Sequence, residues 1–151
     1  MTIRELRRED ADACERIVRA LPDWFGIEEG IAEARGYLDS QEGLVAEEDG
    51  QVVGFLTFAS EFPESAEITW MAVAPDVHRR GVGRRLVDAL VRTLDARGFE
   101  LLLVKTLADT HPSPEYAATR AFYRAMGFLP LTVLPDLWDP ANPCLLMVRT
   151  M

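Results

Sequence analysis

The pattern of hydrophobic and polar positions predicts one strand and two helices at the start of the chain. Residues 2–6 alternate between polar and apolar positions, as a half-buried strand does. A stripe of apolar residues at helical spacing follows, with Asp10 as the predicted N-cap of its helix. Residues 27–38 predict a weaker second helix. The stripe of the first helix consists of Ala13, Cys14, Ile17, Val18 and Leu21.

The middle of the chain predicts three strands. Residues 44–46 and 52–58 are apolar runs joined by an acidic turn, in which Asp49-Gly50 favours a tight hairpin. Residues 67–73 predict the next strand, which Pro75 ends. A hairpin followed by a further strand indicates an antiparallel part of a sheet.

The second half predicts two helices and three more strands. The clearest helix carries leucines at every fourth position and ends at Gly98. One strand is a continuous apolar run, as in a strand buried on both faces, and a Pro-rich loop separates the last two. The order of elements predicts a mixed sheet with helices packed on it. The leucines are Leu86, Leu90 and Leu94; the strands are predicted at 99–104, 128–134 and 144–148, and the second helix at 116–126.

Composition narrows the classes of function. With 151 residues, the chain has the size of one ordinary domain, so we expect residues 1–151 to form a single domain. Its 25 acidic and 16 basic residues give a net charge of −9, which does not favour binding to nucleic acid or an anionic membrane. No membrane-length apolar run or signal segment is visible, so we expect a cytoplasmic protein. Cys14 and Cys144 predict small buried residues, and we expect no metal site.

The most informative segment joins a strand to the leucine-rich helix. Residues 72–86 run through a turn containing Gly81 and Gly83 directly into that helix. A helix N-terminus exposes unpaired N–H groups, and glycines let a phosphate approach the backbone. The segment therefore predicts a pyrophosphate cradle, with a simple tight turn as the alternative. It fits neither the Rossmann fingerprint, because Arg79 replaces the first glycine, nor the Walker pattern.

The distribution of charge favours a ligand at the same place. Residues 36–78 contain nine acidic residues and no Arg or Lys, whereas the turn and helix that follow are rich in arginine. A local basic cluster in an acidic chain indicates a phosphate-bearing ligand. We interpret Arg79, Arg80 and Arg84 in this way, and Arg92 and Arg97 as ordinary surface charges.

Two motifs resemble those of the GNAT N-acetyltransferase superfamily. Residues 78–83, His-Arg-Arg-Gly-Val-Gly, resemble its acetyl-CoA-binding motif Gln/Arg-x-x-Gly-x-Gly/Ala, with His78 at the first position. Residues 121–128 resemble its second motif, a helix that carries a tyrosine, here Tyr123, and ends in Gly-Phe. Tyr116 stands where the family often has an asparagine. The order of elements also matches over nearly the whole chain.

The resemblance implies an α/β (α+β) fold and a position for acetyl-CoA. The fold would be a mixed, mostly antiparallel central sheet of seven strands flanked by four helices, whose central strands splay to hold the cofactor. The pantetheine arm would pair with the strand at 71–73, the diphosphate would lie on the N–H groups of 79–84, and Arg84 or Arg85 would meet the 3′-phosphate. The expected cofactor-binding residues are Met71, Ala72, Val73, His78, Arg79, Arg80, Gly81, Val82, Gly83, Arg84, Tyr116 and Phe122.

The resemblance also implies transfer of an acetyl group from acetyl-CoA to a primary amine by direct attack. Tyr123 would be the acid that protonates the departing thiolate; the alternative for this side chain is core packing beside Phe122. A backbone N–H on the strand at 71–73, that of Val73, would stabilise the oxyanion.

Glu67 is the favoured base, acting through a water. Its strand resembles that of the histone-type members, in which a glutamate lies eleven residues before the first position of the motif, as Glu67 lies before His78. The alternative is an exposed carboxylate at the start of a strand. Asp109 and His111 are second candidates for the base, with a plain loop position as the alternative for His111.

The resemblance places the acceptor between the first two helices and the loop that joins the last two strands. These segments carry Trp24, Phe25 and Trp138 beside carboxylates, which suits an amine of a small molecule or protein. The alternative is that the tryptophans anchor loops. Because relatives often dimerise, a homodimer is a further expectation. The rival function is a non-catalytic acyl-CoA-binding sensor or scaffold.

Overall fold

Seven strands form one sheet in the spatial order β1-β2-β3-β4-β5-β7-β6, and five helices flank it. The computed structural model describes residues 1–25 and 28–151. Among the strands of these described residues, only β4 and β5 pair in parallel, so the predicted mixed, mostly antiparallel sheet is confirmed. The strands are β1 (Thr2–Glu5), β2 (Glu42–Glu48), β3 (Gln51–Phe62), β4 (Ser65–Val73), β5 (Leu101–Leu107), β6 (Leu129–Asp139) and β7 (Asn142–Thr150).

The part of the chain that the structure describes has five helices, where about four were predicted. The additional one, α2, is a single turn at Pro22–Phe25, too short to show a periodic pattern in the sequence. Of the predicted helix at 27–38, residue 27 lies outside the described residues, as does Gly26. None of the described helices is both long and apolar enough to cross a membrane. The helices are α1 (Ala11–Arg19), α2 (Pro22–Phe25), α3 (Glu28–Ser40), α4 (Val82–Ala96) and α5 (Pro114–Ala125).

Two hydrophobic cores hold the helices to opposite faces of the sheet. Leu86, Leu90 and Leu94 of α4 are fully buried in the first core, which also includes Tyr123 of α5. Burial of each such leucine contributes about 1.5–3 kcal/mol. The second core joins α1 and α3 to the other face. Cys14 lies in it as a free thiol, as predicted, and burial raises the pKa of Cys14 to about 12.

The central strands separate where the cofactor was expected. β4 and β5 pair only from Ser65 and Leu101 to Ile68 and Val104. A register shift opposite Thr57 and Phe58 leaves Thr69 as an extra residue in β4, and such a bulge bends and twists a strand. Beyond it, β4 follows β3 and β5 follows β7. We call the resulting opening, between residues 69–73 and 105–107, the fork; it confirms the predicted splay.

Asp10 stands at the predicted N-cap position of α1, but its side chain does not cap the helix. Its backbone is already helical, with φ −80° and ψ −13°, and its carboxylate makes no cap bond to α1. The carboxylate instead accepts hydrogen bonds from the Arg4 guanidinium at 2.9 Å and the Arg7 amide at 2.8 Å. The Arg4 hydrogen bond is the largest effect that lowers the pKa of Asp10. Asp10 therefore ties β1 to the start of α1.

Two predictions for the last strands also need correction. The run at 99–104 was predicted as a strand buried on both faces, but β5 begins at Leu101, and both Leu101 and Lys105 are exposed. The Pro-rich loop after 134 is largely strand, since β6 extends to Asp139. The Asp139 carboxylate accepts from the Ala141 amide at 2.9 Å and so closes a tight turn. Trp138 consequently lies on an edge strand.

Candidate active site

The N-terminus of α4 presents backbone donors without a side-chain cap. Gly81 is its N-cap residue, with φ +79°, and its first helical bond runs from the Arg85 amide to the Gly81 carbonyl at 3.1 Å. Arg79 also has a positive φ of +65°. The first amides of a helix have no partner within it, and alternating left-handed residues form concave anion sites. The geometry therefore fits the predicted phosphate cradle.

The two sequence motifs meet at Gly83. A Cβ atom at this position would lie 3.0 Å from Met71 Cε and 3.2 Å from Phe122 Cζ. Met71 belongs to β4 and Phe122 to α5, so Gly83 lets the start of α4 approach both. The residues from the two motifs thus border one cleft that continues into the fork.

Alternate residues of β4 direct their backbone N–H and C=O groups into the fork. The Ala74 amide donates to the Val53 carbonyl of β3 at 2.8 Å, so Ala72 and Ala74 direct their backbone groups to β3. Met71 and Val73 therefore direct theirs into the fork. Nε2 of His78 lies 2.7 Å from the Val73 carbonyl oxygen, and because a carbonyl only accepts, Nε2 is the protonated nitrogen.

Tyr123 lies in the first core, beside Phe122. Its side chain is only 6% exposed, and its ring contacts Phe122 and Phe128 edge-on, each at 5.4 Å between centroids. Within residues 1–25 and 28–151, no group hydrogen-bonds its hydroxyl. Burial strongly raises the pKa of Tyr123, so the phenol stays protonated. The ring of Tyr123 is therefore packed in the core, while its hydroxyl has no hydrogen-bond partner among the described residues.

A sequence profile of the acetyltransferase (GNAT) family matches residues 4–128. The chain belongs to this family. The predicted family is thus confirmed.

Relatives and a solved structure resemble different lengths of this GNAT chain. It is 36% identical over 91 residues to mycothiol acetyltransferase of Thermobifida fusca, covering 60% of the chain and 27% of that protein. It is 32% identical over 79 residues to [Ribosomal protein bS18]-alanine N-acetyltransferase of Salmonella typhimurium, covering 52% and 49%. The chain therefore spans less than half the length of each of these relatives. A putative GNAT acetyltransferase from Desulfovibrio desulfuricans has the same fold, with TM-score 0.87, 22% identity, and 99% and 98% of the two chains covered.

The two departures from the GNAT motifs contact the same residue. Tyr116, in place of the frequent asparagine, donates its hydroxyl to the Trp24 carbonyl at 2.8 Å. His78 packs edge-on against the Trp24 ring at 5.8 Å. Trp24 Nε1 also donates to the Thr119 hydroxyl at 3.3 Å. Trp24 therefore spans the mouth of the fork, from the α4 loop to α5.

The predicted arginines have different surroundings. Arg80 donates to the Glu48 carboxylate at 2.7 Å, and Arg97 to Glu42 at 2.9 Å, as an ordinary surface charge does. Arg84 is exposed beside the cradle. Arg85 lines two surface cavities of about 510 and 210 Å³, which lie on the β1 side of α4 and outside the fork. The fork is the better candidate for the cofactor site, because the backbone amides at the start of α4 and the residues of both motifs lie beside it.

Glu67 lies on β4 just before the bulge. Its carboxylate accepts from Lys105 Nζ of β5 at 3.2 Å, and both side chains are about one third exposed, at 29% and 34%. On α3, the Tyr37 hydroxyl donates to Glu33 at 2.7 Å. Burial, this hydrogen bond and the nearby charges raise the pKa of Tyr37 to about 12. Glu33, Tyr37 and Lys105 were not predicted beside Glu67, although Glu33 and Tyr37 are four residues apart on a predicted helix.

The second candidates for the base lie in the loop after β5. The His111 ring accepts a hydrogen bond at Nδ1 from the Ser113 amide at 3.2 Å. Ser113 in turn is the N-cap of α5, since its hydroxyl accepts from the Tyr116 amide. His111 thus has a structural role in forming the loop. Asp109 lies in the adjoining turn.

The predicted acceptor aromatics do not form one group. Phe25 packs on Trp70 of β4 with ring centroids 5.1 Å apart, and Trp24 lies at the fork. Trp138 is 48% exposed on β6, three strand positions from β4. At about 4.8 Å per strand, this separation is roughly 14 Å. Among the described residues, Trp138 makes no ring contact with Trp24 or Phe25, and its role in binding the acceptor stays a prediction.

Proposed function

We propose that the chain transfers an acetyl group from acetyl-CoA to a primary amine. The observation that carries this proposal is the uncapped start of α4 at the mouth of the fork. Membership of the GNAT family supports the same activity.

Two features beside the fork suit separate parts of acetyl-CoA. The amides at the start of α4 suit the diphosphate, and the edge of β4 at Met71 and Val73 suits an extended amide-bearing arm. Gly83 leaves room where a Cβ would press on Met71 and Phe122. When bound, acetyl-CoA supplies the acetyl thioester. The chain's own groups hold it and move protons.

Tyr123 donates a hydrogen bond to the departing sulfur in this proposal. Its hydroxyl has no other partner in the described chain, and its raised pKa keeps the proton in place at neutral pH. The Val73 amide, directed into the fork, stabilises negative charge on the carbonyl oxygen that is attacked.

Glu67 accepts the proton of the amine through a water. Its carboxylate is held by Lys105 at 3.2 Å and remains partly exposed, which leaves room for that water. Glu33, which accepts the Tyr37 hydroxyl, lies on the same side of the sheet as Glu67 and adds negative charge there. We therefore place a cationic amine on this side, with Trp24 and Phe25 as aromatic contacts.

A second candidate function is a non-catalytic acyl-CoA sensor or scaffold. It is favoured by the two departures from the family motifs, since His78 occupies the Val73 carbonyl and Tyr116 holds Trp24. Both contacts cross the region where a pantetheine arm would lie.

One experiment separates the two functions. The chain is incubated with acetyl-CoA and a panel of amines, including a peptide with N-terminal alanine, an amino sugar and a polyamine, and free thiol is measured. Calorimetry with CoA gives the affinity in parallel. Amine-dependent thiol release supports the enzyme, whereas tight CoA binding without release over the panel supports the sensor. Absence of CoA binding would contradict both.

A further inference from the structure

Thr106 carries a buried hydroxyl without a hydrogen-bond partner. The residue is 3% exposed, and no group in the described part of the chain bonds its Oγ1 atom. Burial of a hydroxyl without a partner is unfavourable, so such atoms are uncommon in folded proteins. The Thr106 hydroxyl is therefore a buried polar group that a bound ligand could satisfy.

The position of Thr106 in the fork is informative. It lies two residues beyond Val104, the last β5 residue that pairs with β4. One edge of β5 is bonded to β7, where Thr106 pairs with Leu145, so the other edge faces the fork. Nε1 of Trp70, two residues beyond Ile68 on the other arm, is also buried without a partner in the described residues. The Trp70 ring packs in the second core, on the other face of the sheet, so Thr106 carries the unpartnered hydroxyl on the face of the first core.

The side chain of Thr106 points to the side of the sheet that carries Tyr123. It alternates with Leu102 and Val104, which belong to the same core as Tyr123. On α5, Arg120 donates to the Leu107 carbonyl at 2.7 Å, and Tyr123 follows one turn later. Because α5 runs back along β5, this turn brings Tyr123 to the level of Thr106.

We propose that the Thr106 hydroxyl binds acyl-CoA within the fork, through an amide of the pantetheine arm or the thioester carbonyl. The inference rests on the proposed function. A hydroxyl both donates and accepts, so it suits either group. Bonding satisfies two groups that are removed from water together, which offsets the unfavourable burial present in the free protein.

The test compares Thr106→Val, which has nearly the same shape, with Thr106→Ser, which keeps the hydroxyl. In the free protein, Thr106→Val should raise the melting temperature by about 2–4 °C, since an unpartnered polar group is removed. The affinity of Thr106→Val for acetyl-CoA should fall by about fivefold to tenfold in calorimetry. Thr106→Ser should retain most of the affinity.

Thr57→Val is the matched control. Thr57 on β3 is also buried, but its hydroxyl lies 2.8 Å from the Thr69 hydroxyl. Its loss should lower the melting temperature and leave CoA affinity nearly unchanged. The opposite signs of the two shifts distinguish an unpartnered hydroxyl from a partnered one.

The choice of ligand distinguishes the two sources of the hydrogen bond. An equal loss with CoA and acetyl-CoA assigns the pantetheine amide, and a loss with acetyl-CoA alone assigns the thioester carbonyl. If the parent protein binds acetyl-CoA and Thr106→Val binds it equally well, the inference on Thr106 fails and the proposed function stands. A lower melting temperature of the free variant would also overturn it. If the parent protein binds neither CoA nor acetyl-CoA, the proposed function fails and the inference on Thr106 fails with it.

Discussion

The Val73 carbonyl oxygen faces the fork and lies 2.7 Å from Nε2 of His78. The same strand edge is the one proposed to pair with the pantetheine arm, so a bound arm and the His78 side chain compete for one acceptor. His78 is exposed and stands on a loop, which allows it to move away. Because His78 also contacts the Trp24 ring, a movement of His78 would break a contact with one of the aromatic residues proposed to bind the amine.

Replacement of His78 by alanine should therefore strengthen CoA binding. Removal of one competing hydrogen bond, of about 0.5–1.5 kcal/mol, predicts a gain of about twofold to tenfold in affinity. Calorimetry with CoA gives the value, and His111→Ala, in the loop before α5, serves as the control histidine variant. A weaker affinity of His78→Ala would show that the side chain contacts the cofactor directly.

Gly81→Asp should abolish the stabilisation that CoA gives to the fold. Its φ of +79° is unfavourable for a side chain, and the added carboxylate opposes the diphosphate. Gly50→Asp is a matched control, because Gly50 has φ +77° and equally open space in a hairpin away from α4. Both variants should lose similar stability, and only Gly81→Asp should lose the CoA-dependent shift in melting temperature. A full shift in that variant would show that the cradle is misplaced.

Arg84→Ala should reduce the salt dependence of CoA binding. Arg84 is exposed beside the cradle, and contacts between guanidinium and phosphate at a solvent rim are screened by salt. Arg97→Ala, at the far end of α4 and paired with Glu42, should leave the salt dependence as in the parent. The affinity is measured from low to high salt. An affinity of the parent that does not change with salt would contradict a phosphate site at the basic cluster.

The sequence predicted what depends on local periodicity and on motifs. The buried leucines of α4, the Asp49-Gly50 hairpin and the glycine start of α4 follow from spacing and backbone conformation, and all are found. The fork followed from the family resemblance. These features are each set by a few neighbouring residues.

Features that depend on individual side-chain contacts were not predicted from the sequence. The Asp10 carboxylate makes no capping bond to α1 because Arg4 and Arg7 hold it, and Trp138 lies on a strand because Asp139 closes the turn after it. The contact of Lys105 with Glu67 joins residues 38 positions apart. No local pattern records such a contact, so the surroundings of Glu67 could not be predicted from the sequence.

Glu67→Gln should lower the rate of transfer most at low pH and leave CoA affinity nearly unchanged. A base acting through water matters least when the amine is already neutral, so higher pH should partly restore the rate. Glu61→Gln, with an exposed side chain on β3, is the control. An equal loss at every pH would instead indicate that Glu67 acts structurally through Lys105, and an unchanged rate would assign the proton to solvent.

Tyr123→Phe tests the enzyme proposal most directly. The variant keeps the ring that packs on Phe122 and Phe128 and removes only a hydroxyl that no described group bonds, so the melting temperature should change little. Loss of a group that donates to the departing sulfur predicts a rate about 10²-fold lower in single-turnover transfer, with CoA affinity preserved in calorimetry.

The pH dependence of the parent protein completes this test. Because burial raises the pKa of Tyr123, its hydroxyl keeps its proton well above the ordinary phenol value. The rate should therefore show no decline from this group up to about pH 10, the ordinary phenol value. A decline near neutral pH that disappears in Tyr123→Phe would contradict the assignment. A variant within twofold of the parent would leave protonation of the sulfur to solvent, and equal losses of rate and CoA affinity would show that the hydroxyl only positions the cofactor.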